Sequence, residues 1–181
     1  NGQLVSLAEH HGELTEAGAR TVGISVDPPE ANAAMVEKLS LPFPLLSDPD
    51  GTGAIKDTGV WHEGKPFARP AVVVVDTDGS EVLRQVGEDF ADRLAEEDLV
   101  AAVRDLGRSA VRQDPPTPGT PRPGKGAVPL AWLPPYFLGS RYAVVALSER
   151  VPEAQREAKA MIPEFDRFRH ATQRRLKEDE R

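Results

Sequence analysis

The sequence predicts an α/β domain followed by a proline-rich linker and a helical C-terminal extension. Three observations carry this reading. β-Branched runs at 21–26 and 71–75 alternate with stretches of helical periodicity. A further run, Glu81 to Val86, follows the second of these across Asp76-Thr77-Asp78-Gly79, the spacing of a β-hairpin. Residues 114–130 then hold six prolines and three glycines before apolar and helix-forming residues resume. The expected boundaries are 1–110 for the α/β domain, 111–130 for the linker and 131–181 for the extension.

Each element has a local reason. Leu4, Leu7, His11 and Leu14 recur at three- and four-residue spacing, which predicts a helix over 2–17 with Gly18 at its C-cap. Thr21 to Val26 lacks polar alternation and reads as a strand covered on both faces. Asp27 as N-cap, Pro28 at the first helical position and Glu30 in a capping box predict a helix ending near Leu39. Prolines 42 and 44 make 43–46 a weak or edge strand, and a brief helix is expected at 52–58. Ala71 to Val75 is the strongest strand. Leu99, Val103 and Leu106 place one apolar face on a helix over 94–106. The linker cannot bury a core and should run extended. Beyond it, 152–177 is helix-rich, and Pro163 should break or kink it.

Composition narrows function. Net charge is −7, with residues 1–138 at −9 and residues 139–181 at +2, so the acidic body argues against a nucleic-acid binder. Cysteine is absent, which excludes disulfides, thiolate metal ligands and any cysteine nucleophile among these 181 residues. The sequence opens on Asn1 without a basic, then apolar, leader; this predicts a processed or partial chain, a cytoplasmic location and no signal peptide. Residues 127–147 are apolar, but Pro129, Pro134, Pro135 and Arg141 interrupt them, so membrane contact is not expected. A docking segment is expected instead, with Trp132, Tyr136, Phe137 and Tyr142 packing on the main domain or on a second subunit. Residues 131–181 are thus the expected surface for a homodimer or a protein partner.

The run GISVDPPEANAAMVEKLSLPFPLLSDPDG, then GVW, then ARPAVVVVDTDGSEVLRQVGEDFADR, resembles the peroxiredoxin-like (alkyl hydroperoxide reductase/thiol-specific antioxidant) branch of the thioredoxin fold. The resemblance covers about residues 1–107. It implies an antioxidant thiol oxidoreductase that reduces hydroperoxides with a thiol reductant and needs no cofactor. It also implies a cysteine-bearing strand and loop immediately before Asn1, making the fold as given N-terminally incomplete. The absent strand would lie between 21–26 and 71–75, which should then either pair directly or leave an apolar gap, partly closed. In such a site a helix N-terminus and a nearby Arg lower the thiol pKa, and the thiolate attacks the peroxide. Serine or threonine cannot replace it, because an alkoxide is too basic to form at neutral pH. Two residues carry over. Pro70 matches the proline that thioredoxin-like proteins hold in cis facing the active-site cysteine, and Arg69 matches the Arg that hydrogen-bonds thiolate and peroxide. In the common peroxiredoxin pattern that Arg occupies the proline's own position; here it stands one residue earlier. The alternative function is a non-catalytic thioredoxin-like interaction module that binds through the C-terminal extension.

Other polar groups have simpler readings. His10 and His11 are helix neighbours about 100° apart and do not share one ion easily, so no metal is expected there. Asp27, Asp48, Asp50, Asp76 and Asp78 each fall in a cap or turn where a local hydrogen bond accounts for them. Trp61 and His62 are expected to pack at the surface. Arg174, Arg175 and Lys177 read as a solvated helix face.

Overall fold

The computed structural model describes residues 2–88 and 92–179; Asn1, residues 180–181 and residues 89–91 of the GEDFADR motif lie outside the described residues. The chain forms two compact units, His10–Gly126 on the one hand and Asn1–Glu9 with Ala127–Arg181 on the other.

The first unit is α/β. Strand β1 (Gly23–Ser25) pairs in parallel with β2 (Leu45–Ser47), and Gly23 stands opposite Leu45. The crossover between them is helix α3 (Pro29–Leu39), as a parallel pair requires. Strands β3 (Ala71–Val75) and β4 (Glu81–Val86) form the expected antiparallel hairpin, with an irregularity at Val74/Val75. Val36, Leu39, Phe43, Ile55 and Val60 are buried, as are Leu14 of helix α2 (His11–Glu16) and Leu99, Val100 and Val103 of helix α4 (Glu96–Arg104). Removing such side chains from water is the main stabilising term of the unit.

Several expectations are corrected here. The helix expected over 2–17 is two helices, α1 (Gly2–Glu9) and α2, interrupted at His10. The two halves serve different cores: Gly2, Val5 and Ser6 rather than Leu4 and Leu7 are the buried members of α1, while Leu14 is buried in α2. Gly18 does follow α2 in a left-handed conformation, φ +94°. α3 starts one residue later than expected, with Pro28 as N-cap and no side-chain cap from Asp27. The reason is steric: a residue preceding proline is driven out of the helical region, so Pro28 stays extended before Pro29. The helix end is as expected, at Leu39, where Ser40 takes φ +45° and the Leu41 N–H donates to the Val36 carbonyl. Residues 52–58 form turns, not a helix, and the helix expected over 94–106 shortens to α4. The segment expected to be covered on both faces is not: Val22 and Ile24 are exposed, as is Leu46 of the neighbouring β2. α3 packs beside this strand pair, and no ladder joins β1 to β3 among the described residues. These two strands therefore do not pair directly.

The second unit is helical. A short 3-10 turn (Leu130–Trp132) leads into α5 (Leu133–Arg150), and another (Pro152–Ala154) leads into α6 (Gln155–Asp179). α5 buries Leu133, Phe137 and Val144, and α6 buries Ala158, Phe165, Phe168 and Thr172 at heptad-like spacing. The Phe137 and Phe168 ring centroids are 5.5 Å apart. α1 completes the unit. Gly2 approaches Phe168 so closely that a Cβ there would lie 2.5 Å from the ring, and Arg174 clasps the Glu9 carboxylate through two bonds of 2.6 Å. Pro163 does not break the helix; α6 runs through it. An interior proline costs about 3 kcal/mol, and the buried aromatic residues on its C-terminal side offset that. Of the four aromatic residues expected to dock, only Phe137 is buried; Trp132, Tyr136 and Tyr142 are exposed. The face of α5 that meets α6 excludes them. No helix among the described residues is long and apolar enough to cross a membrane.

Candidate functional site

The residues singled out by the resemblance lie where a short loop returns to β3. Trp61 and Ala68 form an isolated antiparallel bridge, the His62 N–H donates to the Phe67 carbonyl at 3.0 Å, and the Arg69 N–H donates to the Val60 carbonyl at 2.7 Å. Residues 60–69 thus fold back on themselves and deliver Arg69 to the start of β3. Its side chain is exposed. Pro70 follows, and its carbonyl accepts from the Gly87 N–H at 2.7 Å, which extends the hairpin by one rung. Its peptide bond is trans, like every peptide bond among the described residues, so the expectation of a cis-proline is corrected. Trans is the lower-energy form for X–Pro.

Trp61 packs within the unit. A Cβ on Gly51, which has φ +67°, would come within 2.4 Å of its ring, and the Lys56 ammonium sits 4.8 Å over the ring centroid. His62 stands edge-on to Phe67, with centroids 5.6 Å apart. The carboxylates are taken up by turns. Buried Asp48 accepts from the N–H groups of Gly53, Ala54 and Ile55, each at 2.9 Å, and those donors, Ile55 foremost, hold its carboxyl below the ordinary carboxylate range. This one side chain organises the turns at 52–58. Asp76 pairs with Arg108, at 3.0 Å from Nε, and that partner pushes its carboxyl down. Asp78 is lowered by the Ser80 hydroxyl, 2.6 Å away. Asp27 and Asp50 are exposed. No group of three His, Cys, Asp or Glu residues among the described residues is disposed to hold a metal ion.

Two polar side chains escape sequence reasoning. Asn32 of α3 is buried. Its carbonyl oxygen accepts from the Ser25 hydroxyl at 3.0 Å, and its amide donates to the Leu46 carbonyl at 3.1 Å and to Ser47 Oγ at 3.2 Å. It therefore ties the C-terminal ends of β1 and β2 to the crossover helix. Gln113 grips Thr21 from both sides: its oxygen accepts from the Thr21 N–H at 2.8 Å, and its amide donates to the Thr21 carbonyl at 2.6 Å. An asparagine inside a helix is the one signal that pointed to the first; nothing local points to the second.

Residues 1–83 match the AhpC/TSA family. Over that stretch the chain is similar in sequence to peroxiredoxins, and its mixed helix-and-strand arrangement agrees with the thioredoxin-like fold of that family. Peroxiredoxin Bcp of Escherichia coli strain K12 is 35% identical over 94 residues, covering 49% of this chain and 58% of that protein. A Mycobacterium tuberculosis H37Rv protein named among the peroxiredoxins is 35% identical over 89 residues, covering 46% and 56%. One from Haemophilus influenzae, likewise named, is 42% identical over 67 residues, covering 37% and 43%. The matched region spans about half the length of these relatives.

Proposed function

We propose that this chain is part of a peroxiredoxin-type thiol oxidoreductase that reduces hydroperoxides at the expense of a thiol reductant, with its nucleophilic cysteine outside these 181 residues. The observation that carries the reading is the identity to peroxiredoxins over the α/β region. The chemistry is fixed by sulfur. A thiolate attacks one peroxide oxygen, an S–O bond forms as the O–O bond breaks, and the departing alkoxide takes up a proton. A reducing thiol then displaces water from the sulfenic acid as a disulfide forms. Met35 and Met161 hold the only sulfur atoms here, and a thioether has no ionisable proton with which to begin that cycle. Arg69, exposed at the start of β3, is the residue offered to the thiolate and the peroxide, and Pro70 is offered as the wall of the site. The cytoplasm, with its reducing thiol pool, is the compartment this reading expects.

The test compares two proteins. The 181-residue chain should show no peroxide consumption with hydrogen peroxide and dithiothreitol. A chain extended by its upstream coding sequence, including a cysteine within a short distance of Asn1, should turn over. In that extended protein, Arg69→Ala should raise the thiol pKa and slow peroxide reduction about ten- to a hundredfold, the loss expected of a charged hydrogen bond worth roughly 1.5–3 kcal/mol. Turnover by the cysteine-free chain overturns the reading, and an unchanged pKa and rate remove Arg69 from the site. A second reading, a thioredoxin-like interaction module that binds through residues 131–181, draws on the exposure of Trp132, Tyr136 and Tyr142.

A further inference from the structure

α5 is apolar on both sides, although only one side has a partner. Leu133, Phe137 and Val144 face inward. Away from that face Trp132 is 62% exposed, Tyr136 57% and Tyr142 60%, while Leu147, at its flank, is 42% exposed. Positions 132, 136, 139, 143, 146 and 150 are spaced four and three residues apart in alternation, so Trp132, Tyr136, Gly139, Ala143, Ala146 and Arg150 form one straight seam along this face. Large residues occupy its N-terminal half and small ones its C-terminal half. A Cβ on Gly139 would meet nothing within 4 Å, so the seam is open at its middle.

We propose that this face is the contact by which two copies of the chain associate, with the α5 helices antiparallel about a two-fold axis level with Arg141. The seam is complementary to itself in that arrangement. Trp132 of one copy meets Arg150 of the other, ring against guanidinium; Tyr136 lies over Ala146; Gly139 faces Ala143, and these small residues let the helices approach closely. A parallel arrangement would set Trp132 on Trp132, Tyr136 on Tyr136 and Arg150 on Arg150. That crowds the rings at one end and places like charges together at the other. The exposed area suits a weak contact. Three aromatic side chains of about 150–250 Å² each, more than half exposed, together with Leu147 and the small residues, offer roughly 450 Å² per copy. Two copies would bury about 900 Å², below the size of stable complexes and in the range of weak, transient contacts, so the dimer should form reversibly and in a concentration-dependent way. The proposal names the partner for the helical surface of the second functional reading, and it stands whether or not the α/β unit serves a peroxidase.

Sedimentation velocity of the full chain across the micromolar range tests it first: a monomer–dimer equilibrium is expected, and a monomer at every concentration overturns it. Because the chain has no cysteine, orientation is then read by cross-linking. Gly139→Cys and Ala143→Cys variants, mixed under mild oxidation, should form disulfide-linked dimers several times faster than either variant alone. Faster cross-linking of Gly139→Cys with itself, or equal rates throughout, overturns the antiparallel seam. Both positions are exposed, so these variants should fold; circular dichroism checks this, and Tyr136→Ala, expected to weaken dimerisation at least tenfold, gives an independent reading. A monomer that floats with phosphatidylcholine–phosphatidylglycerol vesicles would assign the face to lipid and overturn the proposal. Peroxide turnover is a separate measurement, so failure here leaves the functional reading untouched.

Discussion

Asn32 stands inside a helix, where alanine or leucine would be the better helix former, and there it joins three segments. Its partners Leu46 and Ser47 lie 14 and 15 residues away, whereas those of Asp78 lie two residues on and those of Asp48 five to seven. That difference explains what the sequence revealed. Aspartates in turns declare their role through neighbours; a buried amide that bridges strands does not. Asn32→Ala should lower the unfolding free energy by about 1–3 kcal/mol, because it removes the acceptor of the Ser25 hydroxyl and the amide donor to the Leu46 carbonyl and Ser47 Oγ at a buried position, and urea denaturation will measure this. His11 gives the unit a pH dependence. Its ring lies 6.0 Å from that of Phe43, its Nδ1 is buried without a hydrogen bond, and burial pushes its pKa below the ordinary 6.5. The unfolded chain thus binds a proton more readily than the folded one. The contribution is present above pH 6.5 and is lost as pH falls through the lower folded pKa. Thermal unfolding should show a drop in stability from pH 7.5 towards pH 5, and His11→Phe should reduce that drop.

At the scale of elements, legibility followed from whether the cause was local. The hairpin at 71–86 was read correctly because its turn residues and β-branched strands agree with each other. The end of α3 was also read correctly, whereas its start shifted by one residue: two adjacent prolines each constrain the residue before them, and only the second can begin a helix. The turns at 52–58 resemble a short helix in sequence, yet one carboxylate takes three consecutive N–H groups and fixes a different path. The helix at 2–17 divided because its halves bury into separate cores, a fact that periodicity alone does not contain. Arg69 and Pro70 were located by resemblance. Their placement at the return into β3 follows from backbone bonds to Val60 and Gly87, and the trans bond at Pro70 was not readable from a motif.

At the scale of the whole molecule, the proline-rich stretch is open to solvent. Residues 117–129 are exposed throughout, and the Arg122 N–H donates to the Glu30 carbonyl of the α/β unit at 2.9 Å. Limited trypsin digestion should therefore cut first at Lys125, because the Arg122-Pro123 bond resists the enzyme; early cleavage within 21–86 would contradict this arrangement.

Such a cut would not simply release the C-terminal helices. The helical unit is discontinuous in sequence: α1 comes from the start of the chain and α5 and α6 from its end. A nick at Lys125 thus leaves a split protein, with one fragment holding the other through the close fit of Gly2 on Phe168 and the clasp of Arg174 on Glu9. The two fragments should co-migrate under native conditions and separate only in denaturant, so the same loop that is open to proteases becomes a place where this chain can be made in two pieces and reassembled.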